Sequence, residues 1–229
     1  MTLVQMEQVT KRYGKKEAVR DFSLALTEGK IIGLVGSNGS GKTTWMKLLA
    51  GQIYPTGGSI AIEGIPVGRA TKSMVAYLPD GPFLDKWMNV AQALSFYEKF
   101  FDFDRQAAEE MLENLGIPQQ SKVTALSKGT LEKLNLVLTL ARRAKLYLLD
   151  EPLGGVDPVA REQILDLILS QYREDSTIVI STHLISEIER IFEEVIVVKD
   201  GALVLHQNVE DIRLQKGQAV NELFREVFQ

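Results

Sequence analysis

The residues best suited to chemistry form a glycine-rich segment at positions 36–43, which reads GSNGSGKT. The segment fits G-x-x-x-x-G-K-[ST], follows an apolar run and precedes a stretch with helical spacing. Glycines let backbone N–H groups surround a phosphate chain, and a helix start adds the positive end of its dipole. We predict a nucleoside triphosphate site in which Lys42 reaches the β- and γ-phosphates and the Thr43 hydroxyl binds Mg²⁺.

The whole loop is expected to contact the nucleotide, together with the first residues of the helix. These residues are Gly36, Ser37, Asn38, Gly39, Ser40, Gly41, Lys42, Thr43 and Thr44. A flexible Gly-Ser turn with a solvated lysine is the alternative. The order of strand, loop and helix argues against it.

Acidic residues follow a second apolar run, in the segment LYLLDEP at residues 146–152. Open α/β sheets bind ligands at the carboxyl ends of their strands, which is where Asp150 and Glu151 stand. We predict that Asp150 holds Mg²⁺ through water and that Glu151 polarises an attacking water. His183 follows another apolar strand and could contact a γ-phosphate, although a surface histidine explains it equally well at this point.

The elements that must position these residues can be read from hydrophobic periodicity. Alternating or continuous apolar runs predict strands near residues 3–13, 18–35, 58–67, 145–151, 176–183 and 193–205. The stretch from Phe83 to about Ala144 has helical patterns instead, with N-caps expected at Asn89, Asp104 and Ser127. Alternation of strands and helices predicts an α/β fold with a parallel sheet and a helical insertion.

Composition suits one soluble globular unit of 229 residues with a net charge of −4. There is no cysteine and only two histidines, which excludes disulfides and cysteine-ligated metals. The charge balance gives no reason to expect nucleic-acid binding. The N-terminus lacks the apolar core of a signal peptide, and no apolar run approaches a membrane span. The simplest expectation is a cytoplasmic protein that would need a separate partner to work at a membrane.

Taken together, GSNGSGKTT, LSKGT, LLDEP, GGVDP and STH resemble, in order and rough spacing, the nucleotide-binding subunits of ATP-binding cassette (ABC) transporters. The resemblance spans nearly the whole chain. It implies a P-loop NTPase (RecA-like) α/β core with a mostly parallel sheet, an antiparallel β subdomain and a helical subdomain. Residues 1–79 and 145–229 would form the core with the β subdomain, and residues 80–144 the helical subdomain.

The resemblance also implies roles for particular residues. Tyr13 would stack on adenine, and Lys42, Glu151 and His183 would act in hydrolysis of ATP, with Mg²⁺ at Thr43, Asp150 and Asp80. The signature segment would close over the γ-phosphate of a second subunit, and it comprises Ser127, Lys128, Gly129 and Thr130. Asp157 would couple the two sites.

The implied partners are a second cassette subunit, identical or related, and a separate transmembrane permease. Phe83, Leu84 and Trp87 are candidates for contact with a short helix of that permease. The protein would then lie on the inner face of the cell membrane.

Two departures from the family pattern stand out. The usual signature is Leu-Ser-Gly-Gly-Gln, whereas Lys128 replaces its first glycine and Thr130 its glutamine. A left-handed backbone at Lys128 would be costly without glycine. Asp80 stands where the family has a glutamine that contacts Mg²⁺ and the attacking water. An acidic residue there makes the sequence similar to bacterial exporters of antibiotics and peptides, so export is the favoured direction.

Three alternative functions fit part of the sequence. A soluble ABC-type ATPase acting on ribosomes or DNA would usually carry two cassettes or long coiled coils. A small-molecule kinase would leave LSKGT, GGVDP and STH unexplained. A non-hydrolysing regulatory subunit conflicts with Glu151 and His183, although Asp80 leaves some room for it.

Overall fold

The computed structural model describes residues 1–81, 83–216 and 219–228. In this part of the chain, ten strands form two sheets. The strands are β1 (Thr2–Tyr13), β2 (Lys16–Thr27), β3 (Ile31–Val35), β4 (Gly57–Ile62), β5 (Ile65–Pro66), β6 (Val75–Leu78), β7 (Leu146–Asp150), β8 (Thr177–Thr182), β9 (Glu194–Lys199) and β10 (Ala202–Asn208).

The larger sheet has six strands in the order β10-β9-β3-β8-β7-β6. All neighbouring pairs in it are parallel except β9 with β10. Every residue of β3, β7 and β8 is buried, which explains why these strands are continuous apolar runs rather than alternating ones. The smaller sheet, in the order β2-β1-β4-β5, is antiparallel. The predicted fold class is therefore confirmed.

Eight α-helices complete the described part of the chain. They are α1 (Lys42–Leu49), α2 (Val90–Phe100), α3 (Arg105–Asn114), α4 (Lys128–Leu140), α5 (Pro158–Ser170), α6 (Ile185–Ile188), α7 (Val209–Lys216) and α8 (Val220–Phe228). None of them is both long enough and apolar enough to span a membrane.

The large sheet separates two hydrophobic clusters. On one face, α1 and the antiparallel sheet meet around the fully buried Trp45, whose ring lies 6.1 Å from that of Phe22. On the other face, residues of α2 to α5 pack against the same strands. Packing on both faces of the large sheet holds the carboxyl ends of β3, β7 and β8 at one edge of that sheet. The candidate site lies at this edge.

The three predicted N-caps are confirmed. The side chains of Asn89, Asp104 and Ser127 accept hydrogen bonds from the backbone at the starts of α2, α3 and α4. Lys128 is the first residue of α4 and does not have a positive φ. The cost of a left-handed backbone without glycine therefore does not arise at this position. The four-residue strand β6 is absent from the sequence prediction because it is too short to show a period.

A partly buried ion cluster lies at the start of β9. The Glu194 carboxylate accepts hydrogen bonds from Lys30 and, at 2.8 Å, from His206 Nε2. The hydrogen bond from His206 is the main cause that lowers the pKa of Glu194 to about 2, with Lys30 adding to it against the opposing effect of burial. The folded-state pKa is depressed, so the stabilisation is present above the usual glutamate pKa and is lost as the pH falls toward 2.

We expect Glu194→Gln to lower the free energy of unfolding at pH 7 by about 2–3 kcal/mol. The variant should also lose part of the acid sensitivity below about pH 4.5, because that carboxylate no longer titrates. Urea unfolding followed across pH 2–7 measures both effects. The control is Glu113→Gln, at an exposed position on α3. Equal pH dependence in Glu194→Gln and the unchanged protein would contradict this account.

Candidate active site

The glycine-rich loop joins β3 to α1 in a conformation that only glycine suits at several positions. Gly39 and Gly41 have φ values of +82° and +109°. A Cβ at Gly41 would collide with the Ala18 carbonyl oxygen, and one at Gly36 with Ser40 Oγ. The loop therefore packs on itself at Ser40 and against strand β2 at Ala18. It exposes backbone N–H groups at the start of α1, as a phosphate-binding loop requires.

Lys42 lies at the base of this loop with its side chain only 7% exposed. Its Nζ donates to the carbonyl oxygens of Gly36 and Ser37, at 2.8 and 3.3 Å. The same Nζ lies 3.5 Å from Glu151 Oε1. A buried ammonium this close to both the loop and a carboxylate is placed to bind phosphate oxygens.

Asp150, the last residue of β7, is held from both sides. Ser181 Oγ donates to its Oδ1 at 2.6 Å, and the Tyr77 hydroxyl donates to its Oδ2 at 3.3 Å. Burial and the charge of Asp150 raise the pKa of Tyr77 far above its usual range, so the phenol remains a donor. The Asp150 carboxylate is thereby fixed in orientation next to the loop.

Glu151 has a strained backbone, with a φ of +52°. Its N–H donates to Ser181 Oγ at 2.9 Å, and its carbonyl accepts from the Gly154 N–H at 2.9 Å. Its Oε2 lies 2.9 Å from His183 Nδ1. Left-handed non-glycine residues persist only where surrounding bonds hold them, and they cluster at functional sites. This backbone conformation places the Glu151 carboxylate between Lys42 and His183.

These groups open onto one cleft of about 500 Å³. It is lined by Lys16, Ala18, Asn38, Gly39, Gly41, Lys42, Thr43, Thr44, Asp80, Lys128, Glu151, Gly154 and His183. Most of the predicted loop, acidic and histidine residues therefore converge. Asp150 is buried and lies behind the cleft wall. Gly36, Ser37 and Ser40 belong to the loop but do not line the cleft.

Tyr13 is not one of the described residues that line the cleft. It is 50% exposed and pairs with Lys16 at the tip of the β1–β2 hairpin, where Lys16 itself lines the cleft. Lys11 Nζ lies 5.3 Å from the centre of its ring. The tyrosine ring is thus half exposed on a residue paired with one that lines the cleft.

The signature segment splits between two surroundings. Ser127 Oγ caps α4 by accepting from the Thr130 N–H at 3.2 Å, and it lies 2.8 Å from Thr130 Oγ1. Gly129 faces α5, where a Cβ on it would lie 3.9 Å from Asp157 Oδ2. Ser127, Gly129 and Thr130 do not line their own subunit's cleft, whereas Lys128 does.

Asp157 begins α5. Its Oδ1 accepts from the Ala160 N–H at 3.0 Å, and this bond is the main cause that lowers the pKa of the carboxyl group. Asp157 is exposed beside the signature. Ser127, Gly129 and Asp157 therefore share one surface.

Comparison with known proteins decides the family. A family model described as ABC transporter matches residues 19–154, more than half of the chain. The chain belongs to the ABC transporter family. The ABC transporter ATP-binding protein YtrB of Bacillus subtilis (strain 168) is 32% identical over 216 residues, covering 92% of this chain and 74% of that protein.

Two further matches describe how the likeness extends. The Nod factor export ATP-binding protein I of Burkholderia orbicola (strain AU 1054) is 32% identical over 207 residues, covering 86% of this chain and 68% of that protein. A solved structure described as the ATP binding subunit of an ABC transporter has a TM-score of 0.88 at 26% identity, over 100% of both chains.

Membership of the ABC transporter family makes this chain an ATP-binding subunit that hydrolyses ATP to power membrane transport. This result sets aside the kinase interpretation, and relatives named as ATP-binding proteins of transporters favour a transporter subunit over a soluble ABC-type ATPase. Family membership also accounts for the motifs that a kinase would leave unexplained. It does not by itself assign a role to each residue.

Several residues of this ABC subunit's site were missed from the sequence, among them Ala18 on the cleft wall and Tyr77 beside Asp150. Lys16 and Gly154 line the cleft, and Ser181 holds both Asp150 and Glu151. Ser181 could have been suspected, because a hydroxyl at the end of an apolar strand needs a buried partner. Lys16 depends on a hairpin returning to the loop, which spacing along the chain does not reveal.

The donor set of the site fits Mg²⁺. Thr43 and Asp80 present oxygen atoms on the cleft wall, with the Asp150 carboxylate behind them. In the part of the chain that the structure describes, no group of three or more His, Cys, Asp or Glu residues could hold a metal alone. Mg²⁺ suits such a sparse site because it keeps several waters and binds nucleotide phosphates.

Proposed function

We propose that this subunit hydrolyses MgATP in a site completed by the signature of a second cassette subunit, and that it drives an export permease. One observation supports this most. The hydrolytic residues Lys42, Glu151 and His183 share a cleft that Ser127, Gly129 and Thr130 do not line. A helix N-terminus leaves backbone N–H groups without intrahelical acceptors, so Ser127 suits a phosphate brought by another subunit.

The proposed roles follow from position. The loop N–H groups and Lys42 bind the β- and γ-phosphates, Thr44 adds a phosphate contact, and Tyr13 stacks on adenine from the cleft rim. Thr43, Asp150 and Asp80 hold Mg²⁺, which when bound neutralises charge that develops on the phosphates. Glu151 accepts a proton from the attacking water.

His183 supports the same step. Its Nδ1 lies against Glu151, and its side chain is 46% exposed toward the cleft. In this position it steadies the Glu151 carboxylate and can contact the γ-phosphate. A histidine with only a surface role would have no need of this partner.

The proposed subunit interface contains Ser127, Gly129 and Asp157. Their shared exposed surface would face the neighbouring subunit's nucleotide, and Asp157 would link the two sites. The Arg161 Nε donates to the Val156 carbonyl at 3.1 Å, which braces the loop that carries Asp157. A braced loop can transmit a change at one site to the other.

A permease contact is proposed on the helical side. Trp87, Phe96 and Phe100 are 68%, 43% and 60% exposed and line a common groove. Phe83 and Leu84, the other sequence candidates, pack partly into the helical core. Trp87 with the two phenylalanines is therefore the better proposal, since apolar surface of this kind often marks an interface.

The direction of transport and the location are part of the same proposal. A relative named for Nod factor export supports an exporter, as does the acidic Asp80. A subunit that drives a permease in this way would lie on the inner face of the membrane.

Complementation tests the composite site. Lys42→Ala damages the loop, and Ser127→Arg damages the signature, so each variant alone should lose ATP hydrolysis. Mixed subunits of the two kinds form one complete site per dimer. An equimolar mixture should therefore recover roughly a quarter of the unchanged activity if the dimer is symmetric. A mixture no more active than the separate variants would contradict a shared site in a homodimer.

A further inference from the structure

Two oppositely charged residues, Asp80 and Lys128, lie on the wall of the same cleft within one subunit. They are 48 positions apart in the sequence, yet both stand beside Lys42, Glu151 and His183. The nucleotide's phosphates would meet both charges. None of the roles proposed for the cleft residues requires a lysine at position 128.

The Lys128 side chain turns toward its own subunit. A Cβ at Gly155 would collide with the Lys128 Nζ, so the ammonium lies directly over the turn that follows Glu151. Gly155 has a φ of +70°, and its lack of a side chain makes room for the lysine. Ser127 and Thr130 instead bond to each other through their hydroxyl groups. Lys128 is thus set apart from the other signature residues.

The pKa of Glu132 responds to the charges of both Asp80 and Lys128. This residue is half-buried one helical turn beyond Lys128. Burial is the main cause that raises the pKa of its carboxyl group; the Lys128 charge opposes this and the Asp80 charge adds to it. Both side chains are therefore close enough to Glu132 to matter electrostatically. Asp80 and Lys128 therefore share the surroundings of Glu132 as well as the wall of the cleft.

We propose that Asp80 and Lys128 act as a pair within one subunit, in which Lys128 is a positioning residue that offsets the Asp80 charge beside the phosphates. Binding of nucleotide displaces water from the cleft, so the attraction between the two charges grows. With Lys128 removed, Asp80 faces the phosphates without a neighbouring positive charge of its own, whereas Glu151 keeps Lys42. With Asp80 also neutralised, the loss of Lys128 costs much less. The proposal rests on the assignment of the cleft to ATP.

The test is a double-mutant cycle on nucleotide affinity with Asp80→Asn, Lys128→Met and the double variant. Binding of a fluorescent, non-hydrolysable ATP analogue is measured in EDTA and in Mg²⁺. The protein concentration is one at which light scattering reports a monomer, so only contacts within a subunit count. Lys128→Arg retains the charge. Lys133→Ala removes a charge from the same helix where it contacts Gln163 instead of the cleft.

We expect Lys128→Met to weaken binding about tenfold when Asp80 is present and less than about threefold in the Asp80→Asn background. Lys128→Arg should restore affinity, and Lys133→Ala should leave it unchanged. The coupling should persist in EDTA, because it acts through charge on the phosphates. Additive effects of the two substitutions on affinity, or coupling seen only with Mg²⁺, would contradict the proposal that Asp80 and Lys128 act as a pair.

Lys42→Ala separates this proposal from the assignment on which it rests. If Lys42→Ala binds the analogue as tightly as the unchanged protein, the assignment of the cleft to ATP is wrong. If Lys42→Ala loses binding while the cycle is additive, only the pairing of Asp80 with Lys128 is wrong.

Discussion

Replacing Lys42 with alanine is expected to weaken ATP binding by at least about 30-fold, since losing one partner of a buried charged contact costs about 2–5 kcal/mol. The ammonium is almost fully buried between the loop carbonyls and Glu151, so water cannot substitute for it. The variant also leaves Glu151 without its cation, which adds repulsion toward the phosphates. Calorimetric titration with MgATP measures the loss.

Lys47→Ala is the matched control, because Lys47 lies in the last turn of the same helix and outside the cleft lining. It should bind ATP within about twofold of the unchanged protein, as surface substitutions usually have small effects. Full affinity in Lys42→Ala would remove the loop from the nucleotide site.

Glu151→Gln is expected to slow ATP hydrolysis by about 10²–10⁴-fold while nucleotide binding is retained. Glutamine keeps the shape of the side chain and its contact with His183 but cannot accept a proton from water. Phosphate release under saturating MgATP gives the rate, and equilibrium titration gives the affinity. The two readouts separate a failed chemical step from a failed binding step.

Glu162→Gln is a control on α5, where an exposed carboxylate pairs with Arg190. Its hydrolysis rate should stay within about twofold of the unchanged protein. A Glu151→Gln variant that still turned over ATP at the normal rate would assign the general base to another residue.

The chemistry of the loop and of the acidic strand end was predictable because both are local patterns. GSNGSGKT needs only its own glycines and the helix that follows, and LYLLDE needs only a buried strand that ends in carboxylates. The N-caps at Asn89, Asp104 and Ser127 were predictable for the same reason, since a cap acts within four residues.

What the sequence could not supply depends on contacts between distant segments. The left-handed backbone of Glu151 is held by Ser181 from a neighbouring strand, and nothing in LLDEP signals it. Lys16 reaches the cleft because β2 packs on the loop at Gly41.

The signature is a second case. The sequence predicts that residues 127–130 act together in a neighbouring subunit's site, and it gives no sign that the Lys128 side chain also lines the cleft of its own subunit with Asp80. The direction of a side chain at the start of a helix depends on what the helix packs against. Here that is the turn at Gly155, whose glycine leaves room for the ammonium.

The mass of the Glu151→Gln protein in solution, with and without MgATP, tests the central claim most directly. Light scattering should report a monomer without nucleotide and a dimer with MgATP, because slow hydrolysis preserves the closed state. Adding Ser127→Arg should abolish the dimer and leave ATP bound. A Glu151→Gln protein that binds MgATP and remains monomeric would contradict a site shared between two copies of this subunit.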